Sequence, residues 1–167
     1  NDFTSYRYYS DDAAEGNNRA RLSQVEDADG VLIRYDIQYS ATGKVLSESR
    51  RNNLTLSYSY YPGNDRLETL TEHDGISSRV THWSYLATGE VNTITTGFGT
   101  PEATTITLGY DDARRLTRIS DSLGNTVEYT LDTEGNRIDE KAFDAGGMFF
   151  PDVAHLIPIH PHIAHST

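Results

Sequence analysis

Hydrophobic positions recur along this chain on two length scales. On the short scale, apolar and polar residues alternate. Val127, Tyr129 and Leu131 fall on one side of such a run, as do Ile33, Tyr35, Ile37 and Tyr39. Leu54, Leu56, Tyr58 and Tyr60 form another, and Ile106, Leu108 and Tyr110 a fourth. A period of two is the signature of a half-buried strand. On the long scale an apolar anchor returns at Leu22, Val45, Leu67, Val91, Leu116 and Ile138, in steps of 23, 22, 24, 25 and 22 residues. Eight residues after each anchor stands a turn former: Gly30, Asn53, Gly75, Gly99, Gly124 and Gly146. Arg21, Lys44, Arg66, Arg115 and Arg137 precede five of the anchors, and Glu90 is the exception. Such regularity implies one supersecondary unit copied in series.

The segments between alternating runs are turn chemistry. Asp-Ala-Asp-Gly at 27–30, His-Asp-Gly at 73–75 and Ala-Thr-Gly at 41–43 and 87–89 combine positive-φ residues with side chains that bond their own backbone. Each unit therefore reads as a β-hairpin. Its first strand is less regular. Leu22 and Val25 are three apart, as are Leu67 and Leu70, Val91 and Ile94, and Leu116 and Ile119. That spacing suits a short amphipathic helix as well as a bulged strand, and the Thr and Ile content favours the strand. The predicted fold is all-β: about a dozen strands in tandem hairpins, forming an open, curved or spiralling antiparallel sheet over residues 1–146. Asp11 to Asn18 and Thr96 to Thr105 read as longer exposed loops. Residues 147–167, rich in Pro and His, read as an extended tail laid over the end of the sheet.

The run Tyr110-Asp111-Asp112-Ala113-Arg114-Arg115-Leu116, followed by Asp121-Ser122-Leu123-Gly124-Asn125 and a Thr/Tyr-rich strand, resembles the YD-repeat or RHS family. Leu131-Asp132-Thr133-Glu134-Gly135-Asn136-Arg137-Ile138 follows as the next copy, and Tyr39 to Val45 and Tyr85 to Val91 are looser ones. The resemblance covers about residues 6 to 146. It implies hairpins joined side by side into a spiralling sheet. In large members that sheet closes into a shell around a toxic C-terminal domain, and other members are surface proteins associated with carbohydrate. The Asp-Pro-x-Gly core motif of shell-forming members is absent, so no self-cleavage residues carry over. Six repeats are also fewer than such a shell uses.

Composition narrows the function. The chain has 167 residues, 36% of them hydrophobic, with 11 Tyr and a single Trp. The net charge of −11 and pI of about 4.8 oppose phosphate backbones, which excludes nucleic acid as an expected partner. No apolar run is long enough for a membrane helix. Cysteine is absent, which excludes disulfides and thiolate sites and suits a secreted or bacterial surface protein. The chain begins at Asn1, its single Met is Met148, and it opens within a strand (Phe3, Tyr6, Tyr8), so the sequence reads as a piece of something longer.

Candidate chemistry is sparse. Trp83 and Tyr85 are the candidate sugar-stacking pair, because Trp83 has no counterpart in other copies. His155, His160, His162 and His165 are candidate metal ligands, although their spacing matches no closed zinc pattern. The acidic turns at Asp11-Asp12, Asp27-Asp29 and Asp111-Asp112 lack the spacing of a calcium loop, since Gln38 holds the twelfth position counted from Asp27. No nucleophile elbow is present, and the carboxylates are dispersed. The expectation is a non-catalytic structural segment without a cofactor. Its partners would be neighbouring repeats, copies of itself, glycans or an enclosed toxin domain. A carbohydrate-binding adhesive module and a self-assembling fibre subunit are the alternatives.

Overall fold

The computed structural model describes residues 4–150, and nearly all of them lie in antiparallel strands or the turns between them. The strands are β1 (Ser5–Tyr8), β2 (Leu22–Glu26), β3 (Leu32–Tyr39), β4 (Val45–Arg50), β5 (Leu54–Tyr60), β6 (Leu67–His73) and β7 (Ser78–Tyr85). They continue as β8 (Val91–Thr96), β9 (Thr104–Tyr110), β10 (Leu116–Asp121), β11 (Thr126–Leu131), β12 (Arg137–Phe143) and β13 (Phe149–Phe150). Two compact units are present. One holds the chain up to Trp83 with Thr96–Ala103, and the other holds Ser84–Thr95 and the chain from Thr104 onward. In the first, β1 to β7 lie side by side in chain order, and in the second β8 to β13 do the same. Neither ladder pairs its last strand with its first, so each is open. The tandem-hairpin, all-β architecture is the one the alternation predicts.

A one-residue bulge explains the three-residue spacing. Leu22, Val45, Leu67, Val91 and Leu116 are the first residues of β2, β4, β6, β8 and β10. The last residue of the preceding strand lies opposite: Tyr8 with Leu22, Tyr39 with Val45, Tyr60 with Leu67, Tyr110 with Leu116. The register then slips by one, leaving Ser23, Leu46, Glu68 and Thr117 unmatched. Tyr60 and Tyr58, two apart on a regular strand, thus face Leu67 and Leu70, three apart on a bulged one. The bulge puts the anchor and the residue three beyond it on one face. Val25 and Ile119, each three past an anchor, are accordingly buried.

The sixth unit starts at Arg137, one residue before the expected anchor Ile138. Leu131 pairs with Arg137 and Thr130 with Asp139, so Ile138 is the unmatched bulge residue, and it is 63% exposed. A second correction concerns β3. Its pairing moves from Tyr35 with Ser49 to Gln38 with Ser47, which inserts Asp36 at φ 51° as an extra residue. Tyr35 therefore stands on the face of Ser49, while Ile37 turns to the other face and is fully buried. The four residues of that run do not share one side.

Seven turns share one construction. At Asp27, Ser40, Leu86, Asp111, Asp121, Asp132 and Asp144 the backbone N–H donates to the carbonyl four residues on, and the N–H three residues on donates back. That third-on residue is left-handed every time: Gly30, Gly43, Gly89, Arg114, Gly124, Gly135 and Gly147. This is a tight turn closed by a left-handed residue, which glycine adopts without Cβ strain. In the last copy the left-handed residue is Gly147 (φ 78°), not Gly146, because the turn is set by Asp144, whose carbonyl takes the N–H three residues on. Five first residues are Asp, and each carboxylate also accepts the N–H four residues on. Asn52 and Asn53, both at positive φ, and Gly75 make the two shortest turns. The acidic loop after β1 contains a short 3-10 helix, Ala13–Asn18, capped by Asp12. Asn18 ties it to β3, accepting from the Tyr39 N–H at 3.0 Å and donating to Gln38 at 2.7 Å.

Candidate functional site

The repeated residues converge on a repeated lock. At the end of three odd-numbered strands a tyrosine hydroxyl donates to the carbonyl of an anchor: Tyr39 to Leu22 at 2.9 Å, Tyr60 to Val45 at 2.8 Å, Tyr110 to Val91 at 2.8 Å. Burial raises the pKa of all three phenols, which keeps them as donors. The basic residue before the anchor completes the lock. Arg21 lies over the Tyr39 ring at 5.3 Å and Lys44 over the Tyr60 ring at 5.1 Å. Each also reaches the following turn, Arg21 donating to the Ser40 carbonyl at 2.8 Å and Lys44 to the Asp65 carbonyl at 2.6 Å. Arg115 donates to the Asp132 carbonyl at 3.2 Å. A Cβ on Gly43 would stand 3.2 Å from Arg21, and one on Gly135 would stand 3.3 Å from Arg115. The positive φ at both positions favours glycine, and a Cβ would also crowd the arginine side chain.

The Glu90 exception is a charge exchange. Where Glu90 replaces the basic residue, the left-handed position of the next such turn is Arg114 rather than glycine, and its guanidinium pairs with Glu90 and with the Thr88 carbonyl. The Thr88 side chain, then Arg114, holds the Glu90 carboxyl down at about 2. The cation has moved to the neighbouring turn.

Glu48 is the residue the repeat did not anticipate. It sits three past the Val45 anchor, where other copies carry Val25, Leu70 and Ile119, and its side chain is fully buried. Arg34 donates through Nε to Oε2 at 2.9 Å and also through Nη2. Arg50 donates through Nε to Oε1 at 2.6 Å, and the Tyr58 hydroxyl lies 3.4 Å from the same oxygen. Arg34 and Arg50 are direct cross-strand partners. Counting three residues from Val45 would have exposed this carboxylate in the sequence.

Trp83 and Tyr85 stand two apart on β7, as the sequence places them. Trp83 is half-buried, and its carbonyl accepts the Tyr61 hydroxyl at 2.9 Å. Tyr85 ends β7 as Tyr39, Tyr60 and Tyr110 end their strands, so its position belongs to the repeat. His82 stacks on Phe98 with ring centroids 4.4 Å apart, and its Nε2 is 3.2 Å from the Tyr61 hydroxyl. In the second unit an open cleft of about 330 Å³ lies among Arg118, Thr126, Glu128, Phe143 and Asp144. It places no nucleophile against a base. The histidines at 155, 160, 162 and 165 lie outside the described residues, among which no metal-ligating cluster forms.

Antiparallel ladders of tandem hairpins, three of them pinned by a tyrosine to the strand before, define a class of β-hairpin repeat. No family model and no curated protein matches the chain. Solved structures do match. The chain superposes on a TcdB2-TccC3-Cdc42 crystal structure with a TM-score of 0.69 at 18% identity, over 89% of this chain and 8% of that one. A TcdB2-TccC3 crystal structure gives 0.69 at 18% identity, over 89% and 9%. A Photorhabdus luminescens Tc holotoxin pore gives 0.67 at 18%, over 89% and 8%. At this identity the likeness establishes the fold. The chain spans less than a tenth of the length of these chains.

Proposed function

We propose that the chain is a non-catalytic wall segment of a larger RHS/YD-repeat protein, secreted and toxin-like, whose strip is extended by further hairpins along β1. The carrying observation is half a lock. Tyr8 ends β1 opposite Leu22, in the register that Tyr39, Tyr60 and Tyr110 hold against their anchors. Those three hydroxyls each donate to the carbonyl of the preceding anchor. Tyr8 is 64% exposed, and every residue of β1 is exposed. An unpaired edge with a waiting donor fits another hairpin. The likeness to small portions of very long toxin-complex chains supports the same reading, with neighbouring repeats and an enclosed toxin domain as partners. The mass of the endogenous polypeptide tests it: a product many times larger than 18.6 kDa is expected. A product near that mass overturns the proposal.

A further inference from the structure

We propose that the Arg34–Glu48–Arg50 cluster recognises a carboxylate side chain of a partner polypeptide. This inference is independent of the wall reading. Other ion pairs match one cation with one carboxylate, as Arg7 does with Glu26, Arg19 with Asp11, Arg51 with Asp27, Arg114 with Glu90, Arg115 with Asp111, Arg137 with Glu140 and Lys141 with Asp139. Here two guanidiniums share one carboxylate, which leaves a surplus positive charge on a chain of net charge −11. Glu48 is spent, because both oxygens are engaged and its side chain is fully buried. The guanidiniums are not. Each binds Glu48 through Nε and Nη2, while their side chains remain 34% and 40% exposed. The two planar guanidiniums sit on directly paired positions of adjacent strands, both are held by the one buried carboxylate, and each has donor capacity beyond that bond.

Val25, Leu54 and Leu56 adjoin the cluster in register, so a second carboxylate docking there would be screened less than on an open surface. The Tyr58 ring borders it, its phenol raised first by burial and then by Glu48. A monovalent carboxylate suits the site better than phosphate, because the strongly anionic chain repels a divalent ion more. The cluster also replaces an apolar core position of the repeat with a charged one, and such departures concentrate at functional positions.

The test is a titration of the isotopically labelled chain, following the arginine Nε–H resonances. The probes are an acetylated and amidated Gly-Glu-Gly peptide, which carries a single carboxylate, its glutamine counterpart, which carries none, and inorganic phosphate. Arg34 and Arg50 are expected to shift with the glutamate peptide and not with the glutamine one. Arg50→Gln is expected to weaken binding about tenfold, near the worth of one charge-assisted bond. Glu48→Gln raises the surplus charge and is expected to tighten it, while Arg79→Gln on β7 leaves it unchanged. Equal binding of the glutamine peptide, tighter binding of phosphate, or an unaltered Arg50→Gln variant overturns the proposal. Should Glu48→Gln fail to fold, Arg50→Lys replaces it. Weakened binding on loss of the fork supports the site, and unchanged binding overturns it.

Discussion

Tyr60→Phe removes one hydroxyl and leaves the Val45 carbonyl without its side-chain donor. The expected loss is about 1 kcal/mol, read as a lower urea midpoint at unchanged slope, and Tyr110→Phe should lose a similar amount. Glu48 is a different kind of residue. Alanine in its place leaves two guanidiniums facing each other across β3 and β4 without a counter-ion. That change is expected to cost about 3 kcal/mol or more, far above the tyrosine deletions. Equal losses at Glu48 and Tyr60 would mean that the buried cluster is no stronger than a single hydroxyl contact.

At the scale of the hairpin, the Glu90–Arg114 exchange gives a two-residue test. Glu90→Arg alone sets two cations together, and Arg114→Gly alone removes the guanidinium from Glu90. Together they restore the arrangement of Arg115 over Gly135, so the double variant should be more stable than the sum of the two single losses predicts. Gly43→Ala should cost about 1 kcal/mol, because its φ is 91° and Arg21 occupies the space beside it. Both effects are measurable by urea unfolding. Much of the hairpin was legible in the sequence. Five anchors, the turn residues and the preceding basic residues fell where strands and turns form, since each is a local choice of backbone and face. What escaped was phase. Ile138 passed for an anchor because apolarity cannot distinguish a bulge residue from a strand start, and Ile33 to Tyr39 passed for one face because Asp36 carries no mark of being inserted. The position of Glu48, three past Val45, is legible in the sequence, but its pairing with Arg34 and Arg50 is not, because that depends on the register of β3 against β4.

Across the whole molecule the acidic turns set the response to pH. Turn amides lead in holding the carboxyls of Asp27, Asp74 and Asp111 below the ordinary range, and the Asn136 side chain leads at Asp132. Glu90 is held at about 2. In each case the unfolded chain takes up protons first. Their contribution is therefore complete above the unfolded carboxylate pKa of about 4 and is lost as pH falls below it. The urea midpoint should drop from about pH 5 to pH 3. High salt, which screens the net charge of −11, should leave the drop in place. A midpoint that is flat or rising over that interval would show that the turn carboxylates contribute no pH-dependent stability.

The bulge at the start of β2, β4, β6, β10 and β12 has a consequence for how such a chain can change over generations. In an ordinary strand a single inserted residue inverts every side chain downstream of it. Here the tyrosine and its anchor reset the facing at the start of each unit, so an inversion is confined to the hairpin in which it arises. Spacing between the starts of these strands can vary from 21 (Leu116 to Arg137) to 25 residues (Val91 to Leu116), and the loop at Gly97–Ala103 can intrude, without spoiling the copies that follow. Lengthening or shortening the array by whole units then becomes the easy variation, and drift within a unit the tolerated one. An array that repairs its own phase can diverge far in sequence while keeping one architecture.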